Sequence, residues 1–87
     1  MQGFFVMCHT YILFSATLNR YYIGSTRDDL AERIRRHNSN HKGFTGKVND
    51  WKLVYNESYE NYNHALARER HIKSWNSRVS IENLIHL

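Results

Sequence analysis

Between Thr10 and Phe14 the chain carries an apolar, β-branched and aromatic run, and after the polar stretch Ser15 to Arg20 comes a second, Tyr21-Tyr22-Ile23-Gly24. Two short runs of strand-forming residues around a polar connection predict a β-hairpin. The period then changes. Leu30, Ile34 and His37 recur at helical intervals, and Asp28 and Asp29 stand before them as N-cap and first-turn acids, so a short basic helix is expected. From Asn38 to Asp50, Phe44 and Val48 are the apolar residues among two glycines, three asparagines and two lysines. That composition predicts a loop, and the segment expected to move most. Trp51, Leu53 and Tyr55 next alternate with Lys52, Val54 and Asn56, the period of a strand with one buried face, running on to Tyr59. Asn61 or Asn63 can cap a following helix that carries Ala65, Leu66, Ile72 and Trp75, and Ile81, Leu84 and Ile85 gather on a final short one. There is no proline, so the turns rest on Gly, Asn, Ser and Asp. No repeat, linker or low-complexity tract divides the chain, and residues 1–87 are expected to form a single domain.

Composition narrows the picture. With 87 residues, 41% of them hydrophobic and 14% aromatic, the chain can build one modest core and is not a disordered tail. Twelve Lys and Arg against eight Asp and Glu leave a formal charge of +4, which favours a polyanionic partner and brings nucleic acid forward. The lone Cys8 has no internal disulfide partner, and neither a leader nor an apolar run of spanning length is present. A reducing, cytoplasmic setting with no membrane partner is therefore expected. Met7 stands just before the first patterned strand and is a candidate start, leaving residues 1–8 at most as an N-terminal extension.

Candidate chemistry concentrates on three elements. At 100° per residue Glu69 points between Ala65 and Ile72, with Leu66 on the same half of the helix. A carboxylate there is partly desolvated and needs a neutralising partner. A basic neighbour would serve, as would Arg68 and Arg70 lifting that edge into solvent. A divalent cation would serve too, since one carboxylate with waters and phosphate oxygens is a usual way to hold Mg²⁺. Arg33 and His37 are four residues apart and leave one helix face. The guanidinium can fork onto a phosphate, and the imidazole can donate or accept a proton near neutrality. The flanking Arg35 and Arg36 read as a solvated face that would touch a nucleic-acid backbone nonspecifically. Tyr11 and Tyr22 lie on the two strands expected to pair, where tyrosines usually pack. His37 and His41, together with Cys8-His9, raise a structural zinc site, but Asn38-Ser39-Asn40 are poor helix formers and no paired cysteines exist. His64, His71 and His86 read as surface residues.

Taken in order, five segments resemble the GIY-YIG nuclease superfamily, most closely its small standalone members. They are His9-Thr10-Tyr11, which keeps the tyrosine but not the preceding Gly-Ile; Tyr22-Ile23-Gly24 with Ser25-Thr26; and Leu30 to Asn38, with Arg33 and His37 in place. Phe44-Thr45 with Trp51 to Tyr55 comes fourth, and last Ala65 to Lys73 with Glu69, running on through Ser74-Trp75-Asn76-Ser77-Arg78. The resemblance runs from about Thr10 to Leu87.

It implies an α+β fold, an α/β sandwich whose three-stranded antiparallel sheet is flanked by helices in the order ββαβαα, with the active site on one sheet face. It also implies metal-dependent hydrolysis of DNA phosphodiester bonds. Glu69 would hold one Mg²⁺ or Mn²⁺ as a Lewis acid, and Arg33 would stabilise charge building on the phosphoryl oxygens. Tyr11, its phenol acidified by the cation and nearby positive charge, would orient or deprotonate the attacking water. Tyr22 would position that water or a phosphate oxygen, and His37 would relay the proton. Gly24, Ser25, Arg35, Arg36, Lys47 and Lys73 are the expected substrate-binding residues, and Asn76 and Asn83 both qualify as a late asparagine completing the site. With no separate recognition domain, base reading would fall to the loop from His41 to Asp50, whose charges before Asp50 are Lys42 and Lys47. Nonspecific or structure-selective cutting of duplex or branched DNA, in repair or recombination, by a monomer or weak homodimer, is thus expected. The alternative is a nucleic-acid-binding module that keeps the fold without cleavage.

Overall fold

The structure is a computed structural model and describes residues 7–87, so the N-terminal extension expected ahead of Met7 lies outside the described residues. Cys8 is buried and opens the first strand, β1 (Cys8–Ser15). A turn leads into β2 (Arg20–Thr26), and its Asn19 takes φ 53°, a left-handed conformation that asparagine tolerates. After α1 (Leu30–His37) and a 3₁₀ turn (Phe44–Lys47) come β3 (Lys52–Tyr59), α2 (Tyr62–Ser74) and α3 (Arg78–Ile85). The strands form one antiparallel sheet in the order β2-β1-β3. The chain is thus an α+β fold of order ββαβαα. The caps are local: Asp29, Asn61 and Ser77 each accept a backbone N–H of the helix they precede.

The central place of β1 accounts for its apolar run, because a strand covered on both faces has no solvent side to alternate towards. On one face Ile12 and Ile23 bury against Ile72 of α2 and Leu84 of α3, with Tyr21, Tyr55, Trp75 and Ile81 packed around them. On the other, Tyr11, Leu13 and Trp51 form a second cluster, closed by Tyr22 and by Leu30 and Ile34 of α1.

Two expectations change. The alternation Trp51, Leu53, Tyr55 does not make one buried face. Tyr55 pairs with Ile12 and Leu53 with Leu13, so Val54 is the extra residue of a β-bulge. Across it Tyr55 joins the cluster around Ile12, Trp51 joins the cluster around Tyr11, and Leu53 is left exposed. Nor is the loop from Asn38 to Asp50 a loose one. The Asn38 carboxamide accepts the Trp51 N–H at 2.8 Å and donates to the Trp51 carbonyl at 3.0 Å, while the Trp51 indole donates to the Thr45 carbonyl at 2.9 Å. At its far end Asp50 accepts from the Ser15 hydroxyl and from the Thr17 N–H and hydroxyl, tying the loop to the hairpin turn. Among the described residues no helix is long and apolar enough to cross a membrane.

Candidate active site

Tyr11 stands opposite Gly24 in the β1–β2 ladder. A Cβ at Gly24 would lie 2.6 Å from the Tyr11 Oη and 2.7 Å from its Cζ, so the phenol fills the space a side chain at position 24 would need. That close approach is the physical reason for a glycine two residues after Tyr22, whose ring lies on the same face 6.5 Å from that of Tyr11.

A chain of hydrogen bonds leads away from Tyr11. Its Oη is 2.7 Å from Nε2 of His37, the one fully buried residue of α1. His37 Nδ1 is 2.8 Å from the Thr45 hydroxyl, which is 3.0 Å from His41 Nε2, and the Gly43 N–H donates to His41 Nδ1. Because His41 Nδ1 accepts from Gly43, its proton sits on Nε2 and goes to the Thr45 oxygen. The two ring nitrogens of the neutral His37 link the Tyr11 and Thr45 hydroxyls, one as donor and one as acceptor.

Burial, then the Arg33 charge, pushes His37 down to about 4, so the imidazole is neutral at physiological pH. Burial raises Tyr11 to about 12; Arg33 beside it pulls the other way, while Tyr22 and Glu69 add to the rise. Burial therefore keeps Tyr11 protonated, with the neutral His37 imidazole hydrogen-bonded to its oxygen. A stability prediction follows from the sign of the His37 shift. The unfolded imidazole titrates near 6.5 and the folded one near 4, so the unfolded state takes the proton first. This contribution is complete above pH 6.5 and is lost as pH falls towards 4. Thermal unfolding followed at pH 7 and pH 5 will show a smaller acid loss in His37→Gln than in the wild type.

Arg33, one turn before His37, lines a cleft of about 480 Å³ with Tyr22, Arg36, His37, Phe44 and Thr45. Among the described residues its Nε is buried without a hydrogen-bond partner. Arg36 lines the same cleft while pairing at 3.5 Å with Asp28 and Glu32. Arg35, an expected substrate contact, instead grips Glu32 at 2.6 Å outside the cleft lining. Lys47 lies against the Phe44 ring and borders a neighbouring polar hollow with Asn38, Asn40 and Asn49.

Glu69 comes from the other layer. Ser25, next to Gly24 and paired with Thr10, faces α2; its hydroxyl donates to Glu69 Oε1 at 2.5 Å, and Lys73 Nζ donates to Oε2 at 2.6 Å. Tyr11, Tyr22, Arg33 and His37 meet on the α1 face, and Glu69 approaches past Ser25 from the α2 face, because α2 packs on Thr10, Ile12 and Ile23. Its neutralising partner is Lys73; Arg68 turns away to a two-point grip on Glu57. The Glu69 side chain is 14% exposed and the Lys73 side chain 51%, so the carboxylate is held by a residue that itself lies largely at the surface. The donors there are a carboxylate and a hydroxyl, hard oxygens suited to Mg²⁺ or Mn²⁺, and among the described residues no group of three His, Cys, Asp or Glu offers a closed metal site. His37 and His41 turn their nitrogens to Thr45, away from the zinc arrangement weighed from sequence.

Asn76 ends α2 with φ 47°, and Asn83 is exposed on α3 beside Trp75 and Leu87; among the described residues neither hydrogen-bonds to Tyr11, Arg33, His37 or Glu69. Thr45 and His41 were the residues sequence reasoning missed in the hydrogen-bond chain. In the sequence Thr45 is marked only as part of a resembling segment and His41 only as a zinc candidate, because a hydroxyl four residues from a histidine in a loop does not by itself show which groups it bonds.

Comparison with known proteins gives one match. The family model described as the GIY-YIG catalytic domain aligns with residues 7–83. Neither a curated protein nor a solved structure matches the chain.

Proposed function

The chain belongs to the GIY-YIG family of catalytic domains, a family of endonucleases, and from that membership we propose that it is a metal-dependent endonuclease hydrolysing DNA phosphodiester bonds. Its cutting is nonspecific or structure-selective, on duplex or branched DNA, in repair or recombination, and it works in the cytoplasm as a monomer or weak homodimer. The observation that carries this reading is Arg33, a guanidinium with a buried, unpartnered Nε in a cleft that also holds Tyr22, with Tyr11 beside it. A buried donor left unpaired costs about 1–3 kcal/mol, and a phosphate oxygen entering the cleft removes that cost.

Glu69 and the Ser25 hydroxyl would hold Mg²⁺ or Mn²⁺, which when bound supplies Lewis-acid neutralisation of the scissile phosphate. The chain's own residues do the rest. Arg33 forks onto the non-bridging oxygens where charge builds in the transition state. Tyr11, in phenolate form once a bound cation and Arg33 offset the effect of its burial, would orient the attacking water and take its proton, and His37, whose Nε2 is 2.7 Å from the Tyr11 oxygen, would relay that proton onward. Tyr22 positions the water or a phosphate oxygen from the cleft wall. Arg36 and Lys47 border the path of the backbone and add a salt-dependent attraction.

Metal removal tests the proposal. Labelled duplex, single-stranded and branched DNA is incubated with the protein in Mg²⁺, in Mn²⁺ and in EDTA. Cleavage is expected with either metal, with none in EDTA and recovery when metal is restored. DNA that is bound but never cut under any metal condition would make the chain a binding module.

A further inference from the structure

Phe44 is out of place for a residue whose job is packing. It is 42% exposed, and it lies at the wall of the same cleft that contains Tyr22, Arg33 and Arg36. An exposed ring held firmly is a different object from a stray surface phenylalanine, and three contacts hold this one. Phe44 opens the 3₁₀ turn, whose next residue, Thr45, is buried. Trp51, 2% exposed, packs behind the ring at 6.2 Å and is itself anchored through its indole to the Thr45 carbonyl. Lys47, one turn on, places its ammonium 5.4 Å from the ring centroid. The turn is tight, because a Cβ at Gly46 would lie 2.0 Å from the His41 carbonyl oxygen, so the backbone that carries the ring is closely held.

A flat exposed ring with the Lys47 ammonium over it and Arg36 lining the same cleft is the complement of a nucleotide, which joins a flat base to a phosphate. We propose that Phe44 is a stacking seat for one unpaired base of the DNA substrate, with the adjoining phosphates drawn to Lys47 and Arg36. A base inside a duplex already has both faces covered and cannot use the ring, whereas a base at a flap, gap or fork can. The seat thus makes the cleft selective for DNA with an unpaired nucleotide next to a duplex. The inference rests on DNA being the substrate, but not on cleavage. Because the ring is joined to Thr45, and Thr45 to His37, a base on Phe44 is registered against the same elements that carry Arg33 and Tyr11.

Binding is measured in EDTA, where cutting plays no part, with a flapped duplex and a fully paired duplex of equal length, for wild type, Phe44→Ala and Phe44→Trp. Stacking on an aromatic side chain strengthens binding by about tenfold per base, so Phe44→Ala should bind the flap roughly tenfold more weakly with the paired duplex unchanged. Phe44→Trp should restore the flap affinity. A 2-aminopurine placed as the first unpaired base should lose fluorescence on binding wild type or Phe44→Trp and keep it with Phe44→Ala. Equal weakening of both DNAs, or no weakening of either, overturns the seat while leaving the nuclease reading in place. Absence of cleavage in metal with the flap preference intact overturns the nuclease reading and leaves the seat.

Discussion

Arg33→Ala will lower the rate of DNA cleavage by about 10²–10³-fold, the usual cost of removing one donor aimed at transition-state charge, and will leave the fold as stable or more so. The two halves of that expectation have one cause. Arg33 keeps its Nε buried without a partner and its guanidinium against the Tyr11 phenol, an arrangement that serves a ligand better than it serves the empty protein. Truncation removes the orphan donor and also removes one of the groups that depress His37, so the acid loss of stability between pH 6.5 and 4 should flatten at the same time. Arg33→Lys should recover little activity, because an ammonium cannot span two oxygens as the planar guanidinium does. Single-turnover cleavage together with thermal unfolding at pH 7 and pH 5 reads all three effects. A variant that cuts like the wild type would remove Arg33 from the chemistry.

Glu69→Gln should cost at least as much. Lewis-acid help is worth several kcal/mol, and each 1.4 kcal/mol is tenfold, so a loss of about 10³-fold or more is expected. Glutamine keeps the length of the side chain and can still accept from the Ser25 hydroxyl, so the exchange removes charge while preserving shape. It also leaves the Lys73 ammonium without its carboxylate, raising the local positive charge. DNA affinity measured in EDTA should therefore hold or rise as cleavage falls, and calorimetric titration should show Mn²⁺ affinity lost. Cleavage by Glu69→Gln at the wild-type rate would place the cation elsewhere.

How far the site could be read in advance depends on the kind of contact each residue makes. Arg33 and His37 were readable as neighbours because they are four apart on one short helix, and Glu69 was readable as a half-buried carboxylate because Ala65 and Ile72 bracket it on a helical stripe. Gly24 was readable only through its motif; its reason, room for the Tyr11 phenol, appears once β1 and β2 are in register. Tyr55 was placed on the wrong face beside Trp51 because a bulge is a property of two strands together, and nothing within Lys52–Tyr59 marks Val54 as the extra residue. The loop after α1 was taken for the mobile part because its composition is that of a loop, while the bonds that pin it run from Asn38 to Trp51 and from Trp51 back to Thr45.

By itself, then, the amino-acid sequence determined the order of strands and helices, the cap candidates of the first two helices, the pairing of Arg33 with His37 and the presence of two tyrosines and one half-buried glutamate. These follow from periodicity, capping and side-chain chemistry, all of which act over a few neighbouring residues. Only the tertiary structure decided that β1 runs through the middle, that Glu69 meets Ser25 from the α2 layer with Lys73 as its partner, and that Thr45 and His41 extend the hydrogen-bond chain from Tyr11 and His37. Tyr11 and His37 are 26 residues apart and Ser25 and Glu69 are 44, so these contacts exist only after the sheet has closed between its two layers of helix and loop.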